Sequence, residues 1–144
     1  MRESHYFLYR NPATMGSEFW EIAQSGCIST NKETTAENAA RDGGIIWCVG
    51  KKGKGKTAKY YLYQRIVDTR CQYAKHDETE EGAFRVSLCG RPTFAIGFEK
   101  EITNEVYFQE IRDSRILTLG LQLMGLKQKK TLEAFHVEYA RTLS

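Results

Sequence analysis

Residues 42–68 read DGGIIWCVGKKGKGKTAKYYLYQRIVD, and the fold is decided in this stretch. Its apolar run IIWCV is bounded by glycines, which is typical of a short strand. After Thr57, aromatic and β-branched residues recur at alternating positions. They favour a second strand, because such side chains fill a pleated surface and lose rotamer freedom in a helix. We therefore predict a β-hairpin whose tip is rich in glycine and lysine.

The alternation also predicts which side chains share a face of each strand. On the first strand, one face carries Ile45, Trp47 and Val49, and the other carries Ile46 and Cys48. On the second strand, one face is predicted to carry Ala58, Tyr60, Leu62 and Ile66. The opposite face is predicted to carry Lys59, Tyr61, Tyr63, Arg65 and Val67.

The hairpin tip also satisfies the pattern of a phosphate-binding loop, G-x-x-x-x-G-K-S/T. Gly50, Gly55, Lys56 and Thr57 stand at the required positions of GKKGKGKT. A working loop of this kind needs a helix directly after it, because the helix N-terminus supplies amide groups and a dipole to the phosphates. The alternation after Thr57 argues against such a helix. ATP binding through this loop is therefore an alternative to the hairpin interpretation.

Before the hairpin, the chain predicts a strand and two helices. HYFLYR at 5–10 reads as the first strand, which Asn11-Pro12 ends. Ser17 is a suitable N-cap for a helix that runs to Gly26. Residues 27–35 are polar and are expected to be irregular, and a short helix is expected at 36–43.

After the hairpin, the pattern predicts more strands and a terminal helix. Strands are expected at 84–90, 94–102 and 106–111, and a helix at 129–143. Residues 116–128 fit either a helix weakened by Gly120 and Gly125 or an extended segment that covers the barrel, and we expect a loop with a short helical turn there. Five or six strands with an early and a C-terminal helix predict an α+β fold, either a small barrel or a strongly curled sheet. The length of 144 residues indicates one domain over 1–144, either alone or as a module of a larger protein.

Composition limits the classes of protein to consider. No apolar run approaches the roughly 18 residues of a membrane span, and the N-terminus lacks a secretory layout, so we expect a cytoplasmic protein that does not enter a membrane. Cys27, Cys48, Cys71 and Cys89 are widely spaced and form no C-x-x-C pair. We therefore expect reduced thiols, without a metal or another cofactor.

The net charge is +3, but its distribution is uneven. From Lys51 to Lys75 there are eight basic residues and one acid, Asp68. Such a local positive field suits a polyanion, although lysines on a hairpin also keep an exposed edge soluble. The candidates for contact with a nucleic-acid backbone are Lys51, Lys52, Lys54, Lys56, Lys59 and Arg65.

The order of features resembles the EVE-like branch of the PUA-like superfamily, relatives of YTH domains. The resemblance rests on the strand, the helix, the polar segment with Asn38-Ala39-Ala40-Arg41, the run Asp42-Gly43-Gly44-Ile45-Ile46-Trp47 and the hairpin that leads into YYLYQRIVD. It covers roughly residues 5–70. It implies a PUA-like curled sheet or barrel of five to six strands.

The resemblance further implies a module that holds a flipped, often methylated base in an aromatic pocket. Turning a base out of the stack costs a few kcal/mol, which stacking and hydrogen bonds to the base edge must offset. The candidates for the pocket are Trp47, Trp20, Tyr9, Tyr63, Ser29, Asn31 and Asn38. We therefore expect a non-catalytic reader of DNA or RNA, modified or unmodified, such as the specificity domain of a restriction or RNA-processing system, with a nuclease as fused or partner domain.

An enzyme is the alternative class. His5, His76 and His136 are far apart in the sequence and none accompanies a nucleophile, so no catalytic residue is assigned. Some PUA-like relatives cleave RNA, which leaves open a ribonuclease that uses Lys56, Tyr61 and Arg65.

Overall fold

The computed structural model describes residues 4–10, 27–30, 33–53, 55–73, 86–95, 98–113 and 122–142. Its elements in chain order are β1 (His5–Arg10), β2 (Cys27–Thr30), α1 (Glu33–Arg41), β3 (Ile45–Lys52), a 3₁₀ turn (Gly55–Thr57), β4 (Lys59–Tyr73), β5 (Val86–Pro92), β6 (Lys100–Glu101), α2 (Val106–Asp113), β7 (Gln122–Leu123) and α3 (Leu126–Thr142). The fold is therefore α+β, as the sequence predicts. The predicted helix at 17–26 lies outside the described residues.

The strands form one mixed sheet in the order β2-β5-β4-β3-β1-β7, with β6 paired to β4. Among the described strands, β1 and β3 are parallel and the other five pairs are antiparallel. β3 and β4 pair from Ile46↔Ile66 to Lys52↔Lys59, so the predicted hairpin is confirmed. The residues after the GKKGKGKT tip form strand β4 instead of a helix, which contradicts the phosphate-loop alternative.

The sheet is covered on both faces, and β3 is buried on both. The α1-side core contains Tyr6, Leu8, Ile28, Ala36, Ala39, Ile46, Cys48, Tyr63, Ile66 and Leu88. The α3-side core contains Phe7, Ile45, Trp47, Val49, Leu62, Val67, Phe94, Ile102, Phe108 and Leu132. The faces predicted for β3 are confirmed. Ile45, Trp47 and Val49 lie in the α3-side core, and Ile46 and Cys48 lie in the α1-side core.

A bulge in β4 changes the predicted faces of its second half. Cys48 pairs with Gln64 but Val49 pairs with Leu62, so Tyr63 is an extra residue on β4. An extra residue shifts every later side chain to the opposite face. Ile66 therefore lies in the α1-side core and Leu62 in the α3-side core, although strict alternation places them together.

A second irregularity bends β4 near its middle. Val67 pairs with Arg91 and Arg70 with Cys89, so two residues of β4 oppose Gly90. Asp68 has a positive φ of 55° there, and the Thr69 hydroxyl donates a hydrogen bond to the Gly44 carbonyl at 3.0 Å. A Cβ atom at Gly90 would lie 2.2 Å from the Val67 carbonyl oxygen. The bend therefore requires glycine at this position.

Two predicted strands are corrected. Residues 106–111 belong to helix α2, which satisfies its own backbone groups and still buries Phe108 in the α3-side core, whereas a strand would need a neighbour. Among the described residues of 94–102, the strand covers Lys100–Glu101. The side chain of Gln64 bonds the backbone of Phe94, which removes that residue's need for a ladder partner.

The other predicted elements differ from the structure mainly in their bounds. The short helix is α1, and the Gly44 amide donates to the Ala39 carbonyl at its end while Gly43 takes a φ of +63°. β5 continues through Pro92, beyond the predicted end at residue 90, and α3 begins at Leu126, within the predicted loop. Residues 27–30 form β2 in place of an irregular segment, because β5 supplies a partner from far along the chain.

The reduced state predicted for all four cysteines is wrong for two of them. Cys27 and Cys89 form a disulfide between β2 and β5, across a sequence separation of 62 residues. They lie directly opposite each other in the antiparallel pair, which their spacing in the sequence does not indicate. Cys48 and Cys71 are not part of a disulfide.

We predict that Gly90→Ala destabilises the fold more than Gly43→Ala. The methyl group at position 90 meets the Val67 backbone, and such overpacking costs about 1–3 kcal/mol. At position 43 no atom lies within 4 Å, so the variant carries only the backbone cost of its left-handed φ, about 1 kcal/mol. Urea unfolding of both variants measures the difference, and equal costs would contradict the close approach at Gly90.

Candidate nucleic-acid interface

The β3–β4 hairpin presents lysines of unequal exposure. Lys56 and Lys59 are exposed, and Lys51 and Lys52 are half-buried. Lys54 lies outside the described residues. Lys51 pairs with Tyr60, and Lys52 pairs with Lys59 as the last pair before the tip. Four of the six predicted backbone-contacting residues, Lys51, Lys52, Lys56 and Lys59, therefore lie at this end of the sheet.

Acidic side chains from the segment around β6 lie against part of this cluster. Lys52 Nζ is 2.7 Å from Glu99 Oε2 and also 5.0 Å from the centre of the Tyr61 ring. Lys59 Nζ is 3.9 Å from Glu101 Oε1. No acidic side chain in the described part of the chain forms an ion pair with Lys51 or Lys56. These two lysines therefore carry the positive charge that is most available to a polyanion.

Arg65 is separated from the hairpin lysines. Its guanidinium carbon lies 5.3 Å from the centre of the Trp47 ring, on the α3 side of the sheet. Of the residues predicted to contact a nucleic-acid backbone, Arg65 thus belongs to a different part of the molecule from Lys51 and Lys56.

Two tyrosines lie beside Lys51 on the α3 side of the sheet. Tyr9 pairs with Val49 in β3, and its ring centre is 5.9 Å from that of Tyr60. Tyr60 lies 5.0 Å from Phe108 of α2, and both tyrosines are half-buried. Burial, and secondarily Tyr60, raises the pKa of Tyr9 to about 12, so its phenol stays protonated at neutral pH and can donate a hydrogen bond.

The other predicted pocket residues are distributed over the molecule. Trp47 is 0% exposed in the α3-side core, and Tyr63 is 3% exposed in the α1-side core. Ser29 occupies a position in β2 opposite Ser87, and Asn38 is half-buried in α1. Trp20 and Asn31 lie outside the described residues. Of the predicted aromatic residues that the structure describes, Tyr9 combines partial exposure with a position near a hairpin lysine.

A polar chain that the sequence does not indicate runs beneath α3, from the buried Trp47 and His5 to the exposed Glu133. The Trp47 indole Nε1 donates a hydrogen bond to His5 Nδ1 at 2.9 Å, and His5 Nε2 is 3.0 Å from Glu133 Oε1. His5 is 1% exposed. Because an indole N–H can only donate, His5 Nδ1 accepts, which assigns the imidazole proton to Nε2 and leaves the ring neutral. The three residues come from β1, β3 and α3, so no sequence spacing predicts this chain.

A second histidine, from α3, lies against the same tryptophan. The His136 ring meets Trp47 edge-on at 6.5 Å and lies 6.3 Å from Phe94. Burial lowers the pKa of His136, and the charge of Arg65 lowers it further. Trp47 is therefore surrounded by His5, His136, Phe94 and Arg65 within the core.

The structure gives no indication of a metal centre or a membrane span in the part of the chain it describes. Among those residues, no group of three or more His, Cys, Asp or Glu side chains could hold a metal ion. None of the described helices is long and apolar enough to cross a membrane.

Comparison with known proteins gives little beyond this geometry. No protein-family model matches the chain, and no protein of curated function matches it. The chain is similar to the solved structure of a hypothetical protein from Leishmania major, with a TM-score of 0.47 and 11% identity over 96% of this chain and 98% of that one.

We predict that Trp47 contributes mainly to folding. Trp47→Ala should lower the free energy of unfolding by about 3–5 kcal/mol, because it leaves a cavity in the α3-side core. Trp47→Phe keeps an aromatic ring but removes the hydrogen-bond donor to His5. It should therefore lower the free energy of unfolding by less, about 1–3 kcal/mol. Chemical denaturation measures both, and a cost below about 1 kcal/mol for Trp47→Ala would contradict a structural role.

We predict that stability falls on acidification, in part through His136. Its folded-state pKa is lower than the ordinary value of 6.5, so the unfolded chain binds the proton more readily. Well above pH 6.5, His136 is unprotonated in both states and does not change the free energy of unfolding. As the pH falls below 6.5, the unfolded chain binds the proton first, and the free energy of unfolding decreases. Urea midpoints at pH 8 and pH 5 should therefore differ less for His136→Gln than for the unaltered chain, and an identical difference would show that His136 does not contribute.

Proposed function

We propose that this chain is a nucleic-acid-binding reader module built on a PUA-like curled sheet. The order of its described features supports the proposal about the fold. Strand β1, the Asp42–Trp47 run into β3 and the glycine-rich hairpin into β4 follow one another in the order on which the resemblance to EVE-like domains rests. The early helix of that resemblance, at 17–26, lies outside the described residues, and its polar segment with Asn38–Arg41 belongs to helix α1. Strands β2, β5, β4, β3 and β1 make one continuous mixed sheet.

The observation that carries the functional proposal is the position of Tyr9 and Tyr60 next to Lys51. Lys51 is directly opposite Tyr60, and Tyr9 lies 5.9 Å from Tyr60 on the same face. Cross-strand neighbours of this kind have Cβ atoms about 5 Å apart. A partly exposed aromatic pair next to a cation can stack a base on the rings while the cation contacts the phosphate of the same nucleotide.

Each group has a stated part in the proposed recognition. A base stacked on a tyrosine ring gains about 1–3 kcal/mol, which offsets the cost of turning it out of a duplex or of ordering a single strand. Lys51 and Lys56 contact phosphates and make affinity depend on salt. The protonated Tyr9 phenol donates to an acceptor on the base edge. A methyl group on the base would add apolar contact with the rings.

In this proposal the stacking surface is Tyr9 with Tyr60, and Trp47 supports it from within the core. Trp47 is fully buried and its indole nitrogen already donates to His5. The proposed ligand is DNA or RNA with an accessible base, modified or not, and any cleavage is assigned to a fused or partner nuclease in the cytoplasm. Lys56, Tyr61 and Arg65 do not form one cluster for a ribonuclease, since Tyr61 packs at the α1-side core and Arg65 over Trp47.

We predict that substitutions at the hairpin and at Tyr9 weaken oligonucleotide binding in different ways. Lys56→Ala and Lys51→Ala should each lower the slope of log affinity against log salt by about one unit, with a similar loss for every sequence. Tyr9→Ala should weaken oligonucleotide binding by about 1–3 kcal/mol, and the slope of log affinity against log salt should not change. Single strands and duplexes of DNA and RNA, with and without base methylation, are titrated at two salt concentrations.

The matched control is Lys130→Ala. Lys130 is an exposed lysine near the start of α3, one turn before Glu133, which contacts His5 at the opposite end of β1 from the hairpin. This variant should bind like the unaltered chain. Affinity at the non-specific level for every oligonucleotide, or equal losses for Lys56→Ala and Lys130→Ala, would refute the proposed function.

A further inference from the structure

The β3–β4 hairpin places its lysines on opposite faces of the sheet. Lys51 is directly opposite Tyr60, and Val49, two residues earlier on β3, lies in the α3-side core, so Lys51 faces the α3 side. Lys52 is directly opposite Lys59, and both therefore face the α1 side. The basic residues of the hairpin thus belong to two separate faces.

Strand β6 extends this division, because its two charges have opposite signs and point to opposite faces. Glu101 is directly opposite Tyr61, which packs against the α1-side core. Lys100 is directly opposite Leu62, which lies in the α3-side core. The carboxylate of β6 therefore lies on the α1 side, and the ammonium group lies on the α3 side.

Two glutamates, which we call the acidic pair, lie against the lysines of the α1 side. Glu99, directly before β6, places Oε2 at 2.7 Å from Lys52 Nζ, and the two side chains are 27% and 39% exposed. Glu101 Oε1 is 3.9 Å from Lys59 Nζ. A lysine that is paired with a carboxylate brings no net charge to a phosphate, so it releases few counterions from a nucleic acid. The α1-side lysines are thus poor contacts for a polyanion.

Backbone bonds and a buried side chain fix the segment that carries the acidic pair. The Ile102 amide donates a hydrogen bond to the Tyr60 carbonyl at 2.9 Å, and the Tyr60 amide donates to the Thr103 hydroxyl at 2.9 Å. Ile102 is 1% exposed in the α3-side core. Moving Glu101 away from the hairpin would break these bonds and expose Ile102. The acidic pair is therefore a permanent part of the α1 side.

We propose that the acidic pair excludes nucleic-acid backbones from the α1 side of the hairpin, and that the site therefore takes a single strand in preference to a duplex. The proposal rests on the proposed nucleic-acid binding and names its substrate class. One backbone passes over the α3 side, where Lys51 contacts a phosphate and Tyr9 and Tyr60 stack a base.

Two physical effects disfavour a duplex at this site. Its second backbone lies about 12 Å from the first across the major groove, so it comes closer to the acidic pair than a single strand does, and like charges repel. A duplex must also release a base from its stack before a tyrosine can stack on it, whereas the bases of a single strand are accessible. The acidic pair contributes to the first effect alone, so substitution separates the two.

The first test compares a single-stranded oligonucleotide with the duplex of the same sequence by fluorescence anisotropy at several salt concentrations. The unaltered chain should bind the single strand at least about tenfold more tightly. In the variant with Glu99→Gln and Glu101→Gln, the slope of log affinity against log salt for the duplex should increase by up to about two units, because two lysines become available. Equal affinities of the unaltered chain for both ligands, or an unchanged duplex slope in the variant, would overturn the proposal.

The second test assigns the gain to one lysine. Lys52→Ala should hardly change the slope in the unaltered chain but should lower it by about one unit in the Glu99→Gln background. The matched control is Glu138→Gln, which removes the same charge from an exposed position of α3 beside Arg141 and should leave the slope unchanged. An equal gain for Glu99→Gln and Glu138→Gln would reduce the effect to net charge and contradict the role of the acidic pair.

Heparin, a polyanion without bases, distinguishes failure of this inference from failure of the proposed function. The salt concentration that elutes the chain from heparin should fall for Lys51→Ala and stay unchanged for Lys52→Ala. If no oligonucleotide binds above the non-specific level while heparin retains this difference, the reader function is refuted and the exclusion from the α1 side stands. Equal effects of the two substitutions on heparin would refute the exclusion. Circular dichroism checks that each variant is folded.

Discussion

The burial of β3 on both faces is the constraint on which the rest of the structure depends. Every residue from Ile45 to Gly50 is buried, so each face of the sheet must be covered, by α1 on one side and by α2 and α3 on the other. β1 lies parallel to β3 in unbroken register from His5↔Ile45 to Arg10↔Gly50. A slip of one residue would exchange the contents of the two cores, which makes this register strongly specified.

Polar groups inside the α3-side core determine how the covering segments are attached. Trp47 donates to His5, whose other nitrogen faces Glu133 of α3. Further along this helix, the Tyr139 hydroxyl accepts a hydrogen bond from the Ala95 amide at 2.9 Å. Gln64 bonds both backbone groups of Phe94 from within β4. A buried polar group left without a hydrogen-bond partner is destabilising. These contacts therefore favour one arrangement of α3 and of the segment at Phe94 and Ala95 over the sheet.

The electrostatics of the hairpin depend on residues distant in the sequence. The sequence around Lys51–Lys75 is strongly basic, but Glu99 and Glu101 reach Lys52 and Lys59 because β6 pairs with β4 at Tyr61 and Leu62. The proposed interface is therefore narrower than the count of lysines suggests. It is directed toward the side of the sheet that carries Tyr9 and Tyr60.

The sequence by itself determined the elements that depend on local periodicity. Period-two alternation of side chains and the positions of glycines are signals that act over a few residues. They predict strands β1 and β3, the hairpin, the two faces of β3 and the terminal helix. Tertiary structure alone decided the features that join distant positions. The bulge at Tyr63 moves Ile66 to the other core, the segment 106–111 forms a helix that buries Phe108 in the α3-side core, and β2 exists because β5 is its partner. The Cys27–Cys89 bond and the Trp47–His5–Glu133 chain likewise join strands and a helix far apart in the chain, and contacts at such separations leave no periodic signal in the sequence.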